Sequence, residues 1–131
     1  MTDILHDTAL EARKPDFRRL LVLAMSAFPG HPEKTHDYVY ELTDDKRNKL
    51  VVAMYWRPKA QKVFATVKLL YLPESKNSDI EKVKKYKEAL NQKLTQNYEK
   101  LSGGGQHTGP DQTEPEMYHT MWTFPLQKSG F

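Results

Sequence analysis

The residues of this 131-residue chain that could take part in a reaction are its five histidines and its clustered lysines and arginines. A metal-independent ribonuclease needs a base for the 2′-hydroxyl group, an acid for the leaving oxygen and a cation for the phosphate. His36 and His119 are the candidate base and acid, and Arg57 with Lys59 would supply the cation. No spacing in the sequence sets the distances between them, so catalysis is the last of three hypotheses for function.

The sequence contains no pattern typical of a metal or cofactor site. It has no cysteine, which excludes disulfides, thiol nucleophiles and zinc sites with thiolate ligands. His31 and His36 lie five residues apart in a proline-containing segment, and this spacing is too weak to predict a metal site. We therefore expect neither a metal nor another cofactor.

Positive charge supports a second hypothesis, RNA or DNA binding. Twenty lysines and arginines against 17 acidic residues leave a net charge of +3, a surplus too small to predict nucleic-acid binding by itself. The cations that would contact phosphates lie in two predicted turns and at the start of a later helix: Lys46, Arg47, Arg57, Lys59, Lys82, Lys84 and Lys85. Glu81 and Glu88 interleave with the helical lysines, which is also the pattern of an ordinary exposed helix face.

Aromatic side chains beside these cations give the leading hypothesis, a small non-enzymatic protein that binds another protein as an inhibitor, immunity protein or adaptor. Aromatic residues and arginine are enriched at the centres of protein interfaces. The residues predicted to contact the partner are Tyr55, Arg57, Lys59, Lys62, Phe64 and Lys68. The opposing interpretation is that the aromatic residues belong to the core and the lysines to a solvated turn. The oligomeric state stays open, and a homodimer is one alternative.

Three apolar segments separated by short polar turns must position most of these residues. Residues 38–42, 50–56 and 63–72 have strand character and predict an antiparallel meander. Because side chains alternate between the two faces of a strand, Tyr40, Leu42, Val52 and Val67 fall on the face better suited to the core. The opposite face carries Tyr55, Phe64 and other residues of mixed character, so we expect it to be half covered by a helix or offered to a partner.

One helix is predicted before the meander in the sequence and another after it. Pro15 suits the first turn of a helix that runs to about Phe28, and its apolar residues occupy nearly the whole circumference. Such a helix is buried on more than one side or docks a partner. Ser78 and Glu81 form the pattern of a capping box, which predicts the start of a second, long helix. Residues 2–13 are a weaker candidate for a short helix.

The C-terminal third combines a flexible composition with one more strand. Residues 103–116 consist largely of glycine, threonine, proline and polar or acidic residues, which predicts a mobile loop over about residues 102–116. Residues 117–124 then alternate as a strand does. The predicted fold is one α+β domain over residues 1–131, with an antiparallel meander of three strands plus a C-terminal strand, an N-terminal helix and a long helix packed on the sheet.

Hydropathy predicts a protein of the cytoplasm with no contact to a membrane. The longest strongly apolar segment, residues 20–28, is far shorter than the roughly 20 residues that span a bilayer. Acidic residues at positions 3, 7 and 11 are unlike a secretory signal, which has a basic start and an apolar middle.

Overall fold

The computed structural model describes residues 8–44, 47–73, 80–98 and 106–126. Helix α1 occupies residues 8–12 of the described part. The elements that follow are α2 (Lys14–Ala27), β1 (His31–His36), β2 (Val39–Thr43), β3 (Lys49–Arg57), β4 (Lys62–Tyr71), α3 (Ile80–Asn97), β5 (Gln106–Pro110) and β6 (Tyr118–Pro125). The chain therefore has the predicted α+β fold. A short helix was predicted over residues 2–13, and its part before residue 8 lies outside the described residues.

All six strands form one open antiparallel sheet in the order β1-β2-β3-β4-β6-β5. Strands β2, β3 and β4 are the predicted meander, and each of their ends lies within one residue of the predicted one. The predicted C-terminal strand is β6, which pairs with β4 along eight residue pairs from Phe64↔Pro125 to Tyr71↔Tyr118. The centre of the sheet was thus predictable from alternation of apolar residues.

The two edge strands, β1 and β5, were missing from the sequence prediction, which had four strands instead of six. All six residues of β1 are exposed, so this strand buries no side chain that would produce an alternating pattern. Strand β5 lies inside the segment predicted to be a mobile loop, of which residues 102–105 are outside the described residues. Both strands are held by backbone hydrogen bonds to one neighbouring strand. Because main-chain groups form these bonds whatever the side chains are, the amino-acid composition gives little indication of them.

Helices α2 and α3 pack on the same face of the sheet. Phe17 of α2 contacts Tyr40 of β2, with 5.9 Å between the ring centroids. Tyr98, directly after α3, contacts Phe124 of β6 at 4.5 Å. Burial is the main reason why the pKa of Tyr98 is raised to about 12, and the negative charge of Asp16 acts in the same direction. The buried residues of α2 and α3 meet the apolar face of the sheet in one core that includes Leu20, Ala24, Phe28, Leu42, Leu50, Val52, Val67, Val83, Leu90, Leu94 and Trp122.

The outer surfaces of the helices are exposed. Val22 and Met25 of α2 are 67% and 40% exposed, so this helix is buried on one side although it is apolar nearly all round. The buried stripe of α3 is Val83, Tyr86, Leu90 and Leu94, which recur at helical spacing. The capping residue Ser78 lies outside the described residues. Neither helix, nor any other in the described ranges, combines the length and apolarity needed to cross a membrane.

Gly30 connects α2 to β1 at a point with no room for a side chain. A Cβ atom there would lie 2.8 Å from Cε1 of Phe28 and 3.0 Å from the backbone oxygen of Thr43. The Phe28 ring is fully buried and packs edge-on against Tyr86, so it has nowhere to move.

We expect Gly30→Ala to lower the free energy of unfolding by roughly 1–2 kcal/mol, because overpacking outweighs the gain from a stiffer unfolded chain. Urea unfolding followed by circular dichroism measures the change. His31→Ala, one residue further along, is the control and should change stability by less than about 0.5 kcal/mol because His31 is exposed. An alanine variant as stable as the parent would contradict the crowding at this turn.

Candidate functional site

The face of the sheet opposite α2 and α3 is covered by neither helix, and we call it the uncovered face. It is defined by the residues of alternate parity along the paired strands. From the meander and β6 it carries Val39, Glu41, Lys49, Val51, Ala53, Tyr55, Arg57, Lys62, Phe64, Thr66, Lys68, Leu70, His119, Met121, Thr123 and Pro125. Five of the six residues predicted to contact a partner therefore lie on one surface, and Lys59 lies in the turn at its end.

Tyr55, Arg57 and Phe64 form a compact group on this face, which we call the Arg57 cluster. Tyr55 and Phe64 are paired across β3 and β4, with 6.3 Å between ring centroids and 33° between ring planes. The guanidinium carbon of Arg57 lies 3.9 Å from the centroid of the Phe64 ring. Its Nη2 atom donates a hydrogen bond of 2.9 Å to the hydroxyl of Tyr55. Tyr55 is 36% exposed, so the cluster is open to solvent.

The turn between β3 and β4 adds positive charge beside the cluster. Arg57 and Lys62 are directly paired across the strands, and the exposed Lys59 lies in the turn. The turn is closed by hydrogen bonds from the backbone N–H groups of Ala60 and Gln61 to the carbonyl of Arg57. Within the described ranges, none of the three cations forms a salt bridge with a carboxylate. The positive charge at this end of the sheet is therefore not compensated by a carboxylate of the described residues.

The side chains in the middle of the uncovered face are small and weakly polar. Val39, Ala53, Thr66 and Thr123 follow one another across β2, β3, β4 and β6. All four are half-buried although neither α2 nor α3 lies over them. Such a surface is flat, and it loses little side-chain entropy when another surface covers it.

At the far end of the uncovered face the charges are already paired inside the molecule. Lys68 donates a 3.0 Å hydrogen bond to Oδ1 of Asp111, which lies 3.8 Å from Nδ1 of His119. The other Asp111 oxygen accepts hydrogen bonds from the hydroxyl and N–H of Thr113 and from the N–H of Glu114. Burial alone would raise the pKa of Asp111, but these hydrogen bonds and the charge of Lys68 lower it to about 2. Asp111 is therefore ionised and anchors the connection between β5 and β6.

Asp111 was not among the residues singled out in the sequence, because it lies in the segment predicted to be a loop. The signal that could have found it is the sequence Asp-x-Thr-Glu. In this pattern the aspartate accepts hydrogen bonds from the backbone N–H groups two and three residues later. Lys68, which was predicted to contact a partner, forms its hydrogen bond with this aspartate.

The candidate catalytic residues are far apart. His36 is at the end of β1 and His119 is on β6, four strand spacings away in the sheet, or about 19 Å. Arg57 lies near the opposite end of the strands from His119, since Leu70, the partner of His119, is eight residues along β4 from Lys62, or about 26 Å. One phosphodiester cannot contact all of these groups. The assembly of His36, His119, Arg57 and Lys59 into one ribonuclease site has no counterpart in the fold.

The candidate nucleic-acid contacts do not form one patch either. Arg47 lies before β3, whereas Arg57 and Lys59 lie at its other end, about 26 Å away. Lys82, Lys84 and Lys85 belong to α3, on the opposite side of the sheet, and Lys84 pairs with Glu81 at 3.3 Å. Lys46 lies outside the described residues.

A pocket of about 400 Å³ lies beside the positive end of the uncovered face. Its lining residues come from α1 and the residue after it, from the β3–β4 turn and the start of β4, and from the end of β6 and the residue after it: Ala9, Ala12, Arg13, Gln61, Lys62, Val63, Pro125 and Leu126. Arg13 is engaged by Asp16 at 3.3 Å. Among the residues that the structure describes, no group of three histidine or carboxylate side chains is arranged to hold a metal ion.

Comparison with known proteins gives no relative: no family model, curated protein or solved structure matches this chain.

Proposed function

We propose that this chain is a small non-enzymatic protein that binds another protein through its uncovered face, in the manner of an inhibitor, immunity protein or adaptor. The observation that carries the proposal is the Arg57 cluster, which holds an arginine and two aromatic rings in contact at the surface. Arginine and tyrosine are among the residues that contribute most to binding energy at protein interfaces.

The surroundings of the cluster support a protein partner. The half-buried centre of the face offers a flat area of small side chains that a second protein surface can cover. The cluster lies at one end of this area, so a partner that contacts the cations also covers apolar surface. An interface of this kind has an apolar centre and a polar rim.

The same contacts disfavour nucleic acid as the partner. Single-stranded nucleic acids bind to aromatic side chains by stacking bases on exposed ring faces. At 3.9 Å, the guanidinium of Arg57 already occupies one face of Phe64. Lys49 and Lys68 of the uncovered face are paired with Glu41 and Asp111. On the uncovered face, the cations of the described residues that are left for phosphates are therefore limited to the β3–β4 end.

Photo-crosslinking from two matched positions tests the proposal. The photoreactive amino acid p-benzoylphenylalanine replaces Tyr55 on the uncovered face in one variant and Met25 on the outer side of α2 in the other. The two residues are 36% and 40% exposed, so the label is about equally accessible in both. We expect a protein adduct, identified by mass spectrometry from cells of the source organism, at position 55 and none at position 25. Adducts with nucleic acid alone, or equal adducts at both positions, would contradict the proposal.

The identified protein is then purified and its affinity measured by calorimetry. Thr66→Glu places a charge in the centre of the uncovered face. We expect it to weaken the complex about tenfold or more, because the bound protein would remove water from the carboxylate without supplying an opposite charge. Thr95→Glu makes the same substitution on the exposed side of α3 and should leave the affinity unchanged. Equal affinities of the two variants would move the interface away from the uncovered face.

A further inference from the structure

We infer that the partner presents an acidic segment and that Arg57 binds one of its carboxylates through two parallel hydrogen bonds. This inference rests on the proposed function and adds the chemistry of the partner at the positive end of the uncovered face. It is carried by the geometry of the Arg57 side chain and by the distribution of charge around it.

The guanidinium of Arg57 has donors to spare. It carries five N–H groups in one plane, of which Nη2 is engaged by the hydroxyl of Tyr55. Within the described part of the chain no other acceptor binds this group. The guanidinium carbon lies 3.9 Å from the centroid of the Phe64 ring, so the ring covers one side of the group and its remaining N–H groups are open to a ligand. Two of them match the spacing of the two oxygens of a carboxylate.

The same contacts hold the side chain in place before a partner arrives. A long, unrestrained arginine loses rotamer freedom when it binds, which reduces affinity. The Phe64 ring below the guanidinium and the Tyr55 hydroxyl beside it have already restricted this freedom in the unbound protein. The cluster is therefore a preorganised receptor for a planar anion.

Charge complementarity selects an acidic protein segment as the occupant. Lys59 and Lys62 flank Arg57, and none of the three is paired with a carboxylate in the described ranges. Elsewhere on the face Lys49 pairs with Glu41, and Lys68 with Asp111. Among the described residues of the uncovered face, the unpaired positive charge is thus confined to the end that contains the cluster. A peptide that alternates acidic and aliphatic residues satisfies the cations and the apolar centre together.

Nuclear magnetic resonance with an isotope-labelled protein tests this directly, with the arginine Nε–H signals observed beside the backbone. The probe is a short capped peptide that alternates glutamate and valine, compared with the same peptide carrying glutamine for glutamate and with a short oligouridine. We expect the glutamate peptide to shift the signals of Arg57 and of its neighbours in β3 and β4. Its affinity should exceed that of the glutamine peptide about tenfold.

Conservative variants separate the planar geometry from the charge. Arg57→Lys keeps the charge but removes the planar pair of donors and the stacking on Phe64, and we expect it to weaken binding of the glutamate peptide about tenfold. Tyr55→Phe removes the hydroxyl that holds Nη2 and should weaken it about threefold. Arg18→Lys, on the exposed side of α2, is the matched control and should have no effect.

Three results of the peptide experiments would overturn the inference. The first is the absence of any shift at Arg57, and the second is an equal response of Arg57→Lys and Arg18→Lys. The third is tighter binding of oligouridine than of the glutamate peptide at Arg57. A crosslinked protein whose affinity falls with Thr66→Glu but not with Arg57→Lys would refute the acidic contact while the proposed function stands. A chain that binds no protein through the uncovered face would refute both.

Discussion

Trp122→Ala is expected to lower the free energy of unfolding by about 4 kcal/mol, the largest single effect that the structure predicts. Trp122 is fully buried in the middle of β6, where it pairs with Val67 on the face that meets the helices. Its indole N–H donates a 3.2 Å hydrogen bond to Oδ1 of Asn91 on α3. Alanine would leave a large cavity and remove the donor from a half-buried amide, so transfer, packing and hydrogen bonding are all lost.

Urea unfolding of the alanine variant measures this loss, and Trp56→Ala is its matched control. Trp56 lies on the same face of the sheet but only partly buried, near the end of β3. We expect its removal to cost roughly half as much, because part of its surface is already in contact with water. A total stability of about 5–15 kcal/mol is usual for a domain, so the Trp122 variant would lose a large share of it. Equal losses for the two variants would contradict the assignment of Trp122 to the centre of the core.

Asp111→Asn is expected to lower the free energy of unfolding by about 2–3 kcal/mol at neutral pH, the second largest effect. The variant keeps an acceptor for the N–H groups of Thr113 and Glu114 but removes the charge that binds Lys68. Lys68 is largely covered, so it would lose its partner in a place where water compensates only in part. The connection between β5 and β6 loses its anchor on β4.

The pH dependence of stability gives an independent measure of the same interaction. Folding lowers the pKa of Asp111 from 3.8 to about 2. Because the folded-state pKa is the lower one, the contribution is fully present above the unfolded-state pKa and is lost as the pH falls through about 4 to about 2. The lowered pKa corresponds to about 2–3 kcal/mol, since a shift of one pKa unit is worth about 1.4 kcal/mol. Urea unfolding over this range should show a shallower decline for Asp111→Asn than for the parent.

Asp37→Asn is the control for the charge change. The Asp37 side chain is 75% exposed, with its carboxylate 3.6 Å from Lys34, and exposed pairs of this kind contribute little. We expect the control to retain both the stability and the acid sensitivity of the parent. An Asp111→Asn variant that declined with acid as steeply as the parent would show that another carboxylate dominates this pH range.

The predicted sites divide according to how far apart their residues are in sequence. Tyr55 and Arg57 are two residues apart on one strand, so strand periodicity alone placed them on the same face. Phe64 joined them through the short turn that pairs β3 with β4. His36 and His119, by contrast, belong to strands whose order no local pattern determines, and the sheet separates them by three intervening strands.

The sequence by itself determined the α+β class, the meander, β6, and the presence of the helices α2 and α3. These features depend on apolar residues recurring with the period of a strand or helix, which is a local property. Only the tertiary structure decided the edge strands β1 and β5, the placement of both helices on one face, and the contact of Asp111 with Lys68. The physical reason is that strand order and helix side are set by the burial of apolar area summed over distant segments. This choice leaves the part of the other face that carries the Arg57 cluster in contact with water.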